Sequence, residues 1–303
     1  MKSGIGFLIL AMALTPMTDG LSKSLTLDQT AFFIVFARYF SAGVVALLLA
    51  VFMRHPIDIP HHDRFGQVWR TALMMGAMVA MISALSMVDL AKAVGGFLIA
   101  PVVASLISVV LFRERMDGFR LVGSALSFAG AYVILRPEGS LETGTMLALL
   151  GGVMLGAYLA ATRRAGGSGD AFSTLIIQCI LGAMLVLPLA FWHGVPVLSG
   201  WDLTMIVALG AVSALCHFLT IAAYNRTDAS VLAPFFYFNI VFAIPVGYFW
   251  FNESPDQTTM IGLGGIAIGG VIAMLSGSRY VYIFTGILAL PSLYARKFLI
   301  KTG

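Results

Sequence analysis

Charged side chains are scarce in this chain of 303 residues. Asp, Glu, Lys and Arg together make up 11% of it, whereas 59% of the residues are hydrophobic and the mean hydropathy is +0.95. A soluble domain carries about 25% charged residues and needs polar helix faces to meet water. The composition therefore excludes a soluble fold and predicts an integral membrane protein. The formal net charge of +4 gives no reason to expect a nucleic-acid partner.

Cysteine and histidine are also rare. The two cysteines, Cys179 and Cys216, lie within apolar runs, which excludes a disulfide framework and a zinc site built from paired ligands. The five histidines are too few for a multi-histidine diiron centre, and the loop RHPIDIPHHDRF at 54–65 indicates a solvated basic segment. The sequence has no Gly-rich phosphate loop and no convincing Ser/His/Asp arrangement. We therefore expect neither an enzyme nor ATP-driven transport, and no metal or other cofactor.

Long apolar runs are what the sequence has in abundance. A helix needs about 20 mainly apolar residues to cross the roughly 30 Å hydrocarbon core of a bilayer. Ten segments qualify or nearly qualify, and we number them span 1 to span 10. They lie at about 4–22, 31–53, 67–88, 93–112, 119–135, 144–162, 171–192, 202–224, 230–251 and 258–277. The connections are short and leave no room for a soluble domain. The predicted fold class is an all-α polytopic membrane protein of ten transmembrane helices.

The sequence contains an internal repeat. Glu114, in LFRERMDGF, returns as Glu253, in FWFNESPDQ, and we call the distance between them along the chain the repeat interval. The same interval relates Asp89 to Asp228, Phe112 to Phe251, Gly123 to Gly262, and Gly130 to Gly269. It makes span 1 equivalent to span 6 and span 5 equivalent to span 10, which predicts two five-helix repeats at residues 1–142 and 143–277. Because each repeat has an odd number of spans, the second copy is inverted in the membrane.

The basic residues predict the orientation. Fourteen of the eighteen Lys and Arg residues fall on the side of the N-terminus, against three (Lys23, Lys92 and Arg136) on the other side. Because basic loops stay in the cytoplasm, both termini are predicted to be cytoplasmic. The apolar stretch after span 10 is short for a span and contains Pro291, so we expect the tail at 278–303 to be interfacial.

Three ionisable residues lie within or beside the apolar spans. Asp19 and Lys23 are four residues apart, on one face of span 1, and Arg38 enters span 2 from the same side. A charged group in hydrocarbon costs several kcal/mol unless it is paired or hydrated, so each is a functional candidate. Two interpretations stay open. One is a structural ion pair that seals the outer end of the bundle, and the other is contact with a substrate or a coupling ion.

Two further polar residues, His217 and Asn239, lie in the middle of spans 8 and 9. Carriers bind their substrates at midplane polar groups, although a neutral histidine bonded across a helix contact explains His217 equally well. If Tyr158, Phe97 and Phe236 line the same site, stacking favours a planar aromatic solute.

Prolines predict where the spans bend. Pro16, Pro101, Pro234 and Pro245 are candidate hinges, because proline lacks the backbone donor that a helix interior needs. Pairs of small residues four apart in spans 5, 6 and 10 predict close helix packing. The two repeated glutamates lie at helix ends, where capping and backbone hydrogen bonds are their predicted role.

Two five-helix repeats, each with a kinked fourth helix, a following glutamate and a Gly-rich fifth helix, resemble the drug/metabolite transporter superfamily and specifically its EamA-like members. The likeness covers about residues 4–277. Its best local pieces are FARYFSAG in span 2 and APVVASLISVVLFRERM, in which Pro101 stands thirteen residues before Glu114. The chain departs from that family at Arg113 and Asn252, where glycine usually precedes the glutamate, and in continuing past span 10.

The resemblance implies a multi-pass carrier of the bacterial inner (cytoplasmic) membrane. Such carriers move small organic solutes, for example a vitamin such as riboflavin, an amino acid, a nucleobase or a drug. We expect alternating access around a cavity lined by spans 1, 3, 4, 6, 8 and 9, in a monomer or homodimer whose partners are the substrate and the lipid bilayer. Transport could be driven by protons, through Asp19 or His217, or by exchange for a counter-solute. Facilitated transport without coupling is a further alternative. The alternatives are a scaffold without transport and a membrane-embedded enzyme.

Overall fold

The computed structural model describes residues 2–57, 64–112, 118–135, 142–164, 171–192, 194–224 and 233–275. They form eleven α-helices and one 3₁₀ helix, with no β-strand among them. In chain order these are α1 (Lys2–Leu25), α2 (Ala31–Phe52), α3 (Arg64–Leu85), α4 (Leu90–Phe97), α5 (Ala100–Phe112), α6 (Gly118–Leu135), α7 (Thr143–Arg164), α8 (Ala171–Ala190), α9 (Gly200–Tyr224), the 3₁₀ helix (Ala233–Tyr237), α10 (Phe238–Phe251) and α11 (Gln257–Leu275). Glu114, His61, His62 and the tail at 278–303 lie outside the described residues.

The helices are apolar over most of their length. Among the described residues, the helices long and apolar enough to cross a membrane are α1, α2, α3, α7 and α9. Shorter apolar stretches lie at Leu90–Ala104, Leu121–Ile134, Leu175–Ala190, Phe235–Phe251 and Gln257–Ile272. Large hydrophobic side chains also cover the outside of the bundle, and Phe52 and Phe249 are 87% and 84% exposed. The prediction of an all-α fold built from apolar helices is confirmed.

Span 4 differs from its prediction. We predicted one helix over 93–112, but the helix begins at Leu90 and a turn at Leu98 and Ile99 divides it into α4 and α5. The reason is Pro101, which lacks the N–H that would continue the hydrogen-bond ladder and disfavours helical geometry in the residue before it. Proline is tolerated in a first turn, and Pro101 accordingly lies in the first turn of α5.

The other prolines have milder effects. In span 9, Pro234 lies in the 3₁₀ helix that precedes α10, so the described part of this span changes helix type at Phe238. Pro16 and Pro245 lie inside α1 and α10, and both helices continue through them. The hinge role of all four prolines stays a prediction.

The helices begin where polar caps allow them to. At the start of α2, Thr30 Oγ1 accepts a 3.3 Å hydrogen bond from the N–H of Phe33. Before α11, Asp256 Oδ1 accepts a 2.9 Å hydrogen bond from the N–H of Thr259. Each cap satisfies a backbone donor that has no partner within its own helix.

The helices pack mainly in pairs. The main pairs are α1 with α9, α2 with α8, α3 with α7, and α6 with α11. Helix α4 contacts α7 and α10 and is buried in the centre of the bundle, where Leu90 and Ala93 have no exposed surface. The turn that ends α4 bonds locally: the N–H of Leu98 donates a 3.0 Å hydrogen bond to the carbonyl oxygen of Val94.

Candidate functional site

An ion pair between α1 and α2 is the first element of the site. Asp19 Oδ1 and Arg38 Nη1 lie 3.5 Å apart, and their side chains are 9% and 11% exposed. Arg38 Nη2 also donates a 3.0 Å hydrogen bond to Thr18 Oγ1. The structure brings Asp19 and Arg38 together, and the role of the pair stays a prediction. Their contact is longer than the roughly 2.7–2.9 Å of a well-formed charge-assisted hydrogen bond, so the two charges are paired loosely.

The Asp19–Arg38 pair borders a small cavity. The cavity lies between α1, α2, α3, α4 and α10 and has a volume of about 70 Å³. Its polar lining consists of Thr15, Asp19, Arg38 and Asn239. Ligand pockets usually measure roughly 300–1,000 Å³, so this one holds a few water molecules or one small chemical group. A larger solute requires the helices to separate.

The remaining wall of the cavity is apolar. Met78 and Met81 come from α3, Val94 and Phe97 from α4, and Leu98 from the turn after α4. Methionine side chains are unbranched and polarizable and adapt to ligands of different shape. The cavity lining therefore combines a charge pair with adaptable hydrophobic side chains.

Asn239 supplies an unused hydrogen-bond acceptor. It lies at the start of α10, is 8% exposed, and its Oδ1 has no hydrogen-bond partner among the described residues. A buried acceptor left unpaired costs about 1–3 kcal/mol. Because native structures rarely leave such a group unsatisfied, Asn239 Oδ1 indicates a place for a water molecule or a ligand donor.

A second ion pair lies one helical turn further along α1. Lys23 Nζ is 2.5 Å from Glu253 Oε1 and donates a 2.6 Å hydrogen bond to the carbonyl oxygen of Val88. Glu253 Oε2 accepts a 2.7 Å hydrogen bond from the N–H of Leu90. The Lys23–Glu253 pair therefore joins the end of α1, the start of α4 and the end of α10. One turn of helix rises about 5.4 Å, which places this pair next to the cavity on the side of the α1 C-terminus.

The backbone after α10 brings Glu253 to this position. Asn252 ends the helix with a φ of 55°, in the left-handed region that asparagine tolerates better than most residues. The chain turns back, and the N–H of Glu253 donates a 3.0 Å hydrogen bond to the carbonyl oxygen of Gly247. The predicted backbone hydrogen bonds of Glu253 are thus present, but its carboxylate caps α4 instead of its own helix.

The same end of the bundle holds a perturbed carboxyl group. Asp89 lies between α3 and α4, at the N-cap of α4, where its side chain makes no capping hydrogen bond. Burial raises the pKa of Asp89 above its ordinary value, and the negative charge of Glu253 adds to the rise, while Lys23 and Lys92 oppose it. Of the acids around Lys23, Glu253 is the one that forms the ion pair.

Two of the predicted binding residues lie away from the cavity. Tyr158, on α7, accepts a 3.2 Å hydrogen bond from Gln178 Nε2 on α8. Phe236, in the 3₁₀ helix, packs against apolar side chains of α1 and α9. The structure therefore brings Asn239 and Phe97 to the cavity with the Asp19–Arg38 pair, and it does not bring Tyr158 or Phe236 there.

His217 also lies outside the cavity lining. It is half-buried on α9. Spans 6 and 8, which we expected in the wall, contribute none of the described lining residues, and span 2 contributes Arg38 instead. Arg38 reaches the cavity because its guanidinium extends from α2 to Thr18 and Asp19 of α1.

Some residues of the site were not predicted. Thr15 lies one turn before Asp19 in span 1, a spacing that could have identified it. Met78 and Met81 carry no such signal, since methionine is common throughout the apolar spans. Glu253 was assigned to its helix end, and its pairing with Lys23, at the other end of the chain, has no local signature.

An all-helical bundle of apolar helices, with a cavity that carries a charge pair and an amide in its interior, is typical of membrane transporters. Within the described ranges, no group of three or more His, Cys, Asp or Glu side chains is placed to hold a metal ion. The chain belongs to the EamA-like transporter family, whose sequence profile matches residues 2–136 and 142–275. The family resemblance inferred from the repeats and from FARYFSAG is thereby confirmed.

Several named transporters are similar to this chain. The S-adenosylmethionine uptake transporter of Rickettsia felis is 24% identical over 261 residues, which cover 86% of this chain and 88% of that protein. The pseudopaline exporter of Pseudomonas aeruginosa is 24% identical over 286 residues, covering 92% and 97%. The riboflavin transporter of Rhizobium johnstonii is 22% identical over 219 residues, covering 72% of each chain.

A solved crystal structure has the same fold. It matches 92% of this chain and 100% of its own, with a TM-score of 0.67 and 19% sequence identity. The family, the named relatives and the apolar helices together support a multi-pass membrane protein that transports a small molecule.

Proposed function

We propose that this protein is a secondary transporter that moves a small organic metabolite across the bacterial inner membrane by alternating access. The observation that carries the proposal is the interior cavity that the Asp19–Arg38 pair and Asn239 share. Charges inside a membrane protein are costly and are typical of substrate or ion pathways. A binding site without its ligand is expected to contain an unpaired buried acceptor beside such a charge pair.

The proposed architecture is ten spans in two inverted five-helix repeats, residues 1–142 and 143–277, with both termini in the cytoplasm. The helix pairing supports it. The repeat interval makes α1 the counterpart of α7 and α3 the counterpart of α9, so the α1–α9 and α3–α7 contacts are equivalent. The α2–α8 and α6–α11 pairs each join a helix to its own counterpart.

Two glycine contacts support the same two-fold relation. A Cβ added to Gly130 would lie 2.6 Å from the Gly262 carbonyl oxygen, and one added to Gly269 would lie 2.6 Å from the Gly123 carbonyl oxygen. The repeat interval exchanges these two contacts. We expect Gly130→Ala and Gly269→Ala to lower the thermal stability in detergent by similar amounts, about 1–3 kcal/mol each. Gly264→Ala is the control, because nothing lies within 4 Å of its added Cβ.

With both termini in the cytoplasm, the Lys23–Glu253 pair lies at the end of the cavity that faces the outside of the cell. It connects α1 of the first repeat to the loop after α10 of the second, and it holds the start of α4 between them. Alternating access moves one repeat relative to the other. Opening the cavity to the outside therefore requires Lys23 and Glu253 to separate.

Uptake in proteoliposomes tests the proposal. Candidate solutes come from the relatives, so S-adenosylmethionine and riboflavin are the first to be tried, followed by amino acids and nucleobases. We expect saturable uptake of one chemical class, inhibited by the unlabelled solute and absent from protein-free vesicles. A folded protein that takes up no member of the panel, while Asn239→Leu leaves its stability and assembly unchanged, would favour a scaffold.

The driving force is tested in the same vesicles. Asp19 and His217 are the groups proposed for proton coupling, and a counter-solute is the alternative. Uptake that accelerates under an imposed pH gradient supports proton coupling. Uptake that ignores the gradient but accelerates when the vesicles are preloaded with unlabelled solute supports exchange.

A further inference from the structure

We infer that the cavity recognises an α-amino-acid headgroup, in which one carbon atom carries both an ammonium and a carboxylate. Arg38 binds the carboxylate, Asp19 binds the ammonium, and Asn239 Oδ1 accepts a further hydrogen bond from the ammonium. This inference rests on the proposed transport function and names the chemical class of the substrate.

The charge of the cavity is the first argument. Asp19 and Arg38 form a pair with no net charge, and both side chains are about nine-tenths buried. A zwitterion brings one charge of each sign, so it can pair with both residues and leave the site neutral. A solute with a single charge can satisfy only one of the two, and its other partner loses its counter-charge in a medium where that is costly.

The spacing of the charges is the second argument. Asp19 Oδ1 and Arg38 Nη1 are 3.5 Å apart, so the ligand groups that meet them must also lie side by side. In an α-amino acid the ammonium and the carboxylate are attached to one carbon atom and meet this condition. In an extended ω-amino acid they lie at opposite ends of the molecule, and they can meet it only if the chain folds back on itself.

Hydrogen-bond capacity is the third argument. An ammonium has three N–H donors, and the Asp19 carboxylate need not use them all. Asn239 lines the same cavity, is 8% exposed, and its Oδ1 has no partner among the described residues. A neutral aliphatic headgroup would leave that oxygen unsatisfied, whereas an ammonium in the cavity would satisfy it.

The apolar wall sets what the headgroup can be attached to. Met78, Met81 and Phe97 line the cavity together with the charged pair. They favour an apolar, thioether or aromatic side chain over a charged one. At about 70 Å³ the cavity accommodates the headgroup first, and the side chain is accommodated as the helices separate.

Matched ligands test the inference on the full-length wild-type protein in detergent. The probes are L-methionine and L-phenylalanine, the decarboxylated amine and the deaminated acid of each, and ε-aminocaproic acid as a zwitterion with distant charges. Binding is measured by isothermal titration, and uptake inhibition is measured in proteoliposomes. We expect at least one of the two amino acids to bind about 100-fold or more tightly than its amine or its acid, and ε-aminocaproic acid to bind as weakly as they do.

The outcomes separate this inference from the transport proposal. An amine or an acid that binds as tightly as its parent amino acid overturns the inference. So does uptake of a solute that has no α-amino-acid headgroup, such as riboflavin, by a protein that binds neither amino acid, although transport then stands. If no solute of any class is bound or taken up, both the inference and the proposed function fail.

Variants give a second test that does not depend on absolute affinity. Arg38→Lys keeps the charge but loses the planar two-donor fork, and Asn239→Leu removes the free acceptor. We expect Arg38→Lys to reduce the preference for the amino acid over its amine, and Asn239→Leu to reduce the preference for the amino acid over its acid, each by about 10-fold or more. The control is Gln29→Met, which removes a buried amide of the same exposure, 8%, outside the cavity. A preference that is unchanged in Arg38→Lys and Asn239→Leu would contradict the inference.

Discussion

Helix α1 presents two ion pairs one turn apart, and they differ in almost every respect. Lys23 and Glu253 are 2.5 Å apart, and each also bonds a backbone group of the α3–α4 connection. Asp19 and Arg38 are 3.5 Å apart and border a cavity. The first pair has its partners within the protein, which suits a contact that holds one end of the bundle closed. The second pair has room and hydrogen-bonding capacity for a ligand.

The largest effect is expected from removing one member of the cavity pair. Arg38→Met leaves Asp19 buried without its counter-charge, which costs about 3–5 kcal/mol. We expect a strongly reduced thermal unfolding midpoint in detergent and no uptake.

The double variant Asp19→Asn/Arg38→Met is the control for that loss. Replacing both members of a buried pair by neutral groups of similar volume is often neutral for stability. We therefore expect it to fold about as well as wild type and still not to transport. If the double variant transports normally, the cavity pair is structural only.

A smaller effect is expected at the outer end. Lys23→Met and Glu253→Gln remove the charge attraction that joins α1 to the loop after α10, while the amide oxygen introduced by Glu253→Gln is still able to accept the hydrogen bond from Leu90. We expect the uptake rate to change by about 10-fold, because losing the ion pair shifts the equilibrium between the open and closed states. A change of about 1.4 kcal/mol in that equilibrium corresponds to a factor of ten. Ligand affinity measured by isothermal titration should change far less than it does in Arg38→Lys. Equal losses of affinity in both sets of variants would abolish the distinction between the two pairs.

A further comparison lies between the repeats. The repeat interval relates Asp19 to Tyr158, which therefore occupies the equivalent position in the second repeat. Tyr158 bonds Gln178 away from the cavity. We expect Tyr158→Phe to lower stability by about 0.5–1.5 kcal/mol and to leave the substrate concentration for half-maximal uptake unchanged. A shift in that concentration would place Tyr158 in the binding site after all.

The smallest effect is expected at Asp89. Its pKa in the folded protein is raised, so the folded state keeps the proton to higher pH than the unfolded state does. The stability that this provides is present at low pH and is lost as the pH rises through the folded pKa. Asp89→Asn should therefore gain stability relative to wild type between about pH 4 and about pH 7. Unfolding midpoints measured across that range check the sign, and a relative loss toward pH 7 would contradict it.

The sequence predicts the all-helical class and the family, because the apolar runs and the repeated motifs can be recognised in short segments of the chain. It also predicts that Asp19 and Arg38 lie close together, because α1 and α2 are joined by a short loop. It does not predict the division of span 4, since Pro101 and the glycines at 95 and 96 allow either a kink or a break. The Lys23–Glu253 contact depends on how the two halves meet, which no local spacing records. Tyr158 and Phe236 are aromatic residues in apolar spans, and that property does not specify which side of a helix faces the cavity.

The most direct test of the central claim is the affinity of the solute that wild type takes up, measured by isothermal titration on the folded Asp19→Asn/Arg38→Met variant. If the Asp19–Arg38 cavity is the transport site, saturable binding should weaken by about 100-fold or more while the unfolding midpoint stays near that of wild type. An unchanged dissociation constant in a folded variant would show that the solute binds elsewhere.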